Sequence, residues 1–151
     1  MLRKTFYLII LSLVVVKSEL QTLESEFGDQ SFPFKLCSNA PTNLKVKTLY
    51  LTPDPPQKDS TLLIQSNVIV DEQLTNGSTF QVSVYYLGIK IYTKQVDMSK
   101  AVSLPAGPGA ITFQYSVSVP SKAPTGAYKV KMMFKDQTEI EIGCINVSFS
   151  L

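Results

Sequence analysis

Ile111-Thr112-Phe113-Gln114-Tyr115-Ser116-Val117-Ser118-Val119 decides the fold class, because apolar and polar residues alternate one for one along it. Successive side chains of an extended strand point to opposite faces, so this stretch reads as a strand with one apolar and one polar side. A helix would need apolar residues three as well as four apart, and here none are three apart.

The same period recurs outward in both directions. Downstream, Tyr128, Val130, Met132 and Phe134 alternate with Lys129 and Lys131, and a last run extends from Glu139 to Phe149. Within that run the apolar parity flips at Gly143-Cys144, from Ile140 and Ile142 to Ile145, Val147 and Phe149, which predicts a bulge there. Upstream, Phe80, Val82, Val84 and Tyr86 alternate with Gln81, Ser83 and Tyr85; Gly88 breaks the run, and residues 89–96 continue it. Two earlier runs, 45–52 and 61–70, flank Pro53-Asp54-Pro55-Pro56, where prolines cannot donate to a ladder. Asn76-Gly77 and Gly107-Pro108-Gly109 mark turns.

This is an all-β chain of about seven strands, each with one apolar face. Two antiparallel sheets packed face to face, an immunoglobulin-like sandwich, bury those faces. Parallel βαβ units are excluded for want of helical periodicity. A conventional immunoglobulin domain is disfavoured: tryptophan is absent, and the cysteines stand at the ends of the domain.

The N-terminus reads as a secretory leader over residues 1–18. Arg3 and Lys4 precede an apolar run from Phe6 to Val16, which is too short to span a bilayer. Residues 19–33, acidic and polar at first, read as a flexible N-terminal arm, and 34–151 as one domain. Cutting after Ser18 removes Arg3, Lys4 and Lys17 from 14 basic residues, leaving 11 against 12 acidic ones, a formal balance of −1. The pI of 8.5 thus belongs to the precursor. Cys37 and Cys144 are the only cysteines. In a secreted chain two thiols point to one disulfide; two buried free thiols are the alternative.

Catalysis has little to work with. Histidine is absent, which removes the commonest general base, the usual triads and the commonest zinc ligand. Asp71-Glu72 and the pair Glu139 and Glu141 read as solvated surface, and no metal or cofactor site is expected. The lysines are scattered and no arginine follows Arg3, so nucleic acid is not an expected partner. Asn76-Gly77-Ser78 in a turn and Asn146-Val147-Ser148 in the last strand are glycosylation acceptors, the second usable if Asn146 points outward.

These residues carry a resemblance. Cys37, then Leu49-Tyr50-Leu51-Thr52-Pro53-Asp54-Pro55-Pro56, Val82-Ser83-Val84-Tyr85-Tyr86-Leu87-Gly88-Ile89-Lys90, Asp97, Leu104-Pro105, Val119-Pro120, Pro124-Thr125-Gly126-Ala127-Tyr128-Lys129-Val130 and Cys144 follow in order. The chain resembles the ML lipid-recognition domain family, which includes phosphatidylglycerol/phosphatidylinositol transfer proteins of slime moulds and fungi and, more distantly, the Niemann–Pick type C soluble sterol carrier. The resemblance covers 34–151. It implies a sandwich whose sheets splay to admit a lipid, with the first and last cysteines paired. Many relatives carry a further cysteine pair where Met98 and Ser103 stand here, and a glycine where Asp59 stands.

The expectation is a secreted or endolysosomal monomer that carries a phospholipid or sterol between membranes, touching their surfaces transiently and catalysing nothing. A lipid tail would lie against Val84, Tyr86, Ile91, Ile111, Phe113 and Tyr115, and against Val117, Val130, Met132 and Phe134, with the mouth near Tyr92, Leu104 and Pro105. Lys90 and Lys94 are the nearest candidates for a phosphate, against the plainer reading of a solvated strand face. The alternative is an extracellular recognition or adhesion sandwich with a solid core, since an apolar inner face serves a packed core equally well.

Overall fold

The computed structural model describes residues 31–151. The expected leader and the arm up to residue 30 lie outside the described residues. Ser31 and Phe32, at the end of that arm, are tied down: the Leu49 N–H donates to Ser31 Oγ at 2.9 Å, and the Phe32 N–H donates to the Leu49 carbonyl.

Eight strands form two antiparallel sheets: β1 (Phe34–Leu36), β2 (Leu44–Thr52), β3 (Ser60–Val70), β4 (Thr79–Tyr86), β5 (Ile89–Asp97), β6 (Gly109–Val119), β7 (Ala127–Lys135) and β8 (Glu141–Ser150). The larger sheet has the order β1-β8-β7-β4-β5 and the smaller β2-β3-β6. Seven of these strands are the alternating runs of the sequence. The eighth, β1, is three residues long, too short to show alternation, and forms because it pairs with β8.

Alternation sets the inner faces. In the larger sheet Phe80, Met132 and Ile145 are neighbours on the inward side, and in the smaller Leu62, Ile64, Val68 and Val70 of the central strand β3 are buried. Phe80 is the centre of the core: its ring meets Phe113 and Tyr115 edge-on at 5.0 and 5.1 Å, and Phe134 lies 6.4 Å away. Such edge-to-face pairs set ring positive edges against negative faces. Ser66 is the polar exception on β3; its hydroxyl donates to the Thr48 carbonyl at 2.8 Å.

Three bulges interrupt the ladders: one leaves Lys47 of β2 unpaired, and two lie in β8 and β5. In β8 the register shifts opposite Phe134 and Lys135, leaving Ile142 unpaired one residue before the position expected. Ile140 falls in the preceding turn and is 62% exposed, so the strand begins at Glu141 rather than Glu139. In β5 the shift falls opposite Val84 and Tyr85, and Ile91 is the extra residue. The turn between β4 and β5 consists of Leu87 and Gly88, both with positive φ (48° and 83°), the signature of the mirror-image turn whose twist suits a hairpin.

Candidate functional site

The interior is packed unevenly. Where β4 begins and β7 ends, Phe80, Val82, Met132 and Phe134 are buried, backed by Phe113 and by Met98, Ala101 and Leu74 of the connecting segments. Toward the β4–β5 hairpin the inward residues are only partly buried: Val84 and Tyr86 of β4, Val130 of β7, Tyr115, Val117 and Val119 of β6, and Phe149 of β8. The strands continue, but the facing sheet no longer covers them fully.

The two long sides of the sandwich differ as well. On one side β8 approaches β2. There Gly143 lies so close to β2 that an added Cβ would meet the Leu44 carbonyl oxygen at 2.8 Å, and Cys37–Cys144 ties β1's exit to β8 across 107 residues. On the other side β5 and β6, the opposite edges of the two sheets, make no comparable approach. Tyr92 and Lys94 pair with Val84 and Val82 and so share their inward parity, yet both are exposed. The β5–β6 side is thus the less closely approached margin of the sandwich, and the partly buried apolar residues toward its hairpin end form the candidate cleft.

This geometry sorts the expected wall. Val84, Tyr115, Val117 and Val130 are partly buried and pack against the core, with Tyr115 edge-on to Phe80, and Tyr86 is also partly buried. Ile111 is also partly buried but lies on β6 beyond Phe113, opposite Val68. Phe113, Met132 and Phe134, each 2% exposed, belong to the packed aromatic core instead. Ile91, as the bulge residue, is 53% exposed rather than inward. Val119 is likewise partly buried beyond Val117, while Phe149 of β8, far from β5, stacks on Tyr128 at 5.9 Å; each continues the alternation of its strand.

The expected mouth divides in two. Tyr92 borders the cleft, whereas Leu104 and Pro105 lie at the other end of the sandwich, next to Ala106, which pairs with Leu74. The segment after β5 crosses to the smaller sheet without a second disulfide. Met98, 1% exposed, anchors it in the core. Asp97 caps its short helix by accepting the Ser99 N–H at 2.9 Å, and the Gln114 N–H donates to the Ala101 carbonyl. The Ser99 side chain, followed by that Ser99 N–H, holds the Asp97 carboxyl below its ordinary range. Packing and capping thus order the stretch that a cystine clamps in many relatives.

The hairpin end of the cleft is roofed by tyrosines. Tyr86 and Tyr128 lie 5.0 Å apart and donate to the carbonyls of Thr125 and Pro124 at 3.0 and 2.7 Å. Burial pushes the Tyr128 phenol up, with Tyr86 adding to the effect. Their hydroxyls are committed to the loop backbone. A depression of about 490 Å³ at this end is lined by Tyr85, Leu87, Gly88, Ala127, Tyr128 and Lys129 together with Ser148, Phe149 and Ser150 of β8. Tyr85 on its wall lies under two ammonium groups, Lys90 at 5.8 Å and Lys129 at 5.3 Å.

Of the glycosylation acceptors, Asn76 is exposed in its turn, while Asn146 is partly buried between Lys35 and Lys131 on the outer face. Among the described residues no group of three His, Cys, Asp or Glu could hold a metal.

Comparison with known proteins places this architecture. Residues 31–151 match the family described as ML domain. A Dictyostelium discoideum protein named as a putative phosphatidylglycerol/phosphatidylinositol transfer protein is 31% identical over 110 residues, covering 71% of this chain and 76% of its own. The Schizosaccharomyces pombe phosphatidylglycerol/phosphatidylinositol transfer protein is 29% identical over 111 residues, covering 70% of this chain and 59% of its own. Among solved structures, a Niemann-Pick type C2 protein from the Japanese carpenter ant superposes with a TM-score of 0.61 at 13% identity, over 79% of this chain and 98% of that one. With the family matched over every described residue and the sandwich built as above, the chain belongs to the ML domain family.

Proposed function

We propose that this protein binds a single lipid in the β5–β6 cleft and carries it between membranes in a lumenal or extracellular space. The observation that carries this reading is the partly uncovered apolar inner face at the hairpin end, bounded by Val84, Val130, Tyr115 and Val117. Each methylene moved from water into such a surface gains about 0.8 kcal/mol, enough in sum to hold an acyl chain. Few charges border the cleft, so the tail supplies most of the affinity and the head group stays near solvent. The names of the relatives favour a glycerophospholipid over a sterol. The disulfide suits an oxidising compartment. No constellation for bond-making chemistry accompanies the cleft, and the reading is of a carrier.

The test is organic extraction of the purified protein followed by mass spectrometry. A phospholipid recovered in near-equimolar amount supports the proposal. Lipid-free protein that also fails to take a fluorescent phospholipid from vesicles favours the solid-core recognition module.

A further inference from the structure

The β4–β5 hairpin exposes a group of apolar residues that no packing explains. Leu87, Ile89, Ile91 and Tyr92 are 66%, 69%, 53% and 49% exposed and follow one another around the tip. Leu87 also holds φ at 48°, a conformation that disfavours a bulky side chain and suits asparagine. The tip thus keeps leucine where both solvation and backbone would prefer a polar residue, and such departures point to function.

The charge around the tip has one sign on its own sheet. Lys90 and Lys94 project from β5 and Lys129 from β7, and no acidic residue occurs between Glu72 and Asp97 or between Asp97 and Asp136. Among the described residues Asp71, Glu72, Asp97, Asp136, Glu139 and Glu141 gather at the opposite end of the sandwich, and only Asp54 and Asp59, in the β2–β3 loop, lie at the hairpin end. An apolar tip ringed by lysines fits a lipid surface of negative charge: the apolar groups enter the interface while the ammonium groups meet phosphates.

We infer that the β4–β5 hairpin is the element that docks the protein on an anionic bilayer. Ile89 pairs with Tyr86 and Tyr92 with Val84, so the docked tip sets the rim of the cleft against the lipid. The inference rests on the carrier reading for its purpose, although the surface is defined without it.

Co-sedimentation of the purified protein with vesicles tests it, using phosphatidylcholine alone and in equal mixture with phosphatidylserine. Binding is expected to the mixed vesicles, to weaken with added salt, and to fall about fivefold for Lys90→Gln or Lys94→Gln. Leu87→Asn with Ile89→Thr, chosen to suit the turn and the strand, should lower binding about tenfold or more. Ile140→Thr, exposed at the other end, should change nothing. Absence of binding to the mixed vesicles, or equal losses for Ile140→Thr and the tip variant, would overturn the inference. So would a vesicle-independent dimer that the tip variant abolishes, which would make a second copy the occupant. Co-purified lipid without vesicle binding defeats the docking surface alone; vesicle binding without co-purified lipid defeats the carrier reading alone.

Discussion

Leu87 couples stability to the proposed docking. At φ 48° its Cβ crowds the backbone, and asparagine relieves this by tolerating the left-handed region. Leu87→Asn is therefore expected to stabilise the domain by about 1 kcal/mol, raising Tm by roughly 3–5 °C by calorimetry, while weakening vesicle binding. A stability gain without a binding loss would separate the two roles. Asp136 shows the converse, a residue that only stabilises. Its Oδ1 accepts from the Thr138 N–H and hydroxyl at 2.8 and 2.7 Å and from the Ile140 N–H at 3.0 Å, which pulls its carboxyl below the ordinary 3.8. A depressed carboxyl contributes stability that is complete above its unfolded pKa and lost as pH falls through the folded one. Asp136→Ala should cost about 1 kcal/mol near neutrality in urea unfolding, and the difference from the parent should shrink once pH drops well below 4. At Asp59 the φ of 55° lies in the left-handed region that favours glycine, which the residue's identity alone does not disclose.

The strands were legible because alternation is a local property, and seven of eight follow from it. What alternation does not encode is what lies across the gap. Val82 and Val84 share one parity on one strand, yet Val82 is buried and Val84 only partly so, a difference alternation alone does not carry. Phe113 and Val117 divide in the same way on β6. Ile91 escaped for another reason: a bulge moves one residue out of phase, and nothing in residues 89–96 announces it. The cleft and the core therefore respond differently to added volume. Val117→Trp is expected to leave stability within about 1 kcal/mol of the parent while reducing uptake of a fluorescent phospholipid. Phe113→Trp, in the packed half, should destabilise by about 1–3 kcal/mol. Equal destabilisation at both positions, read from denaturant midpoints, would mean the sandwich is solid throughout.

For the whole molecule, the chain is cross-linked near its two ends. Cys37–Cys144 encloses nearly the entire domain, and closing a loop of that length restricts the unfolded chain strongly. Replacing both cysteines with serine is expected to lower the unfolding free energy by about 4–5 kcal/mol, measured in urea with and without reductant. Reductant should leave the variant unaffected and bring the parent toward it.

Gly143, one residue from the cystine, lies along the edge where β8 and β2 approach, and the layout of the sandwich is that of a bound book. The spine runs along β8 and β2; β5 and β6 are the fore-edge. From β8 to β5 is three strand spacings, about 14 Å, so a swing of roughly 10° at the spine moves the fore-edge by about 2.5 Å. That is a large fraction of an acyl chain's width, obtained without breaking a single rung of either ladder. In such a layout any swing at the spine would add room by leverage rather than by unfolding, and would add most at the margin where Tyr92 and the hairpin stand exposed.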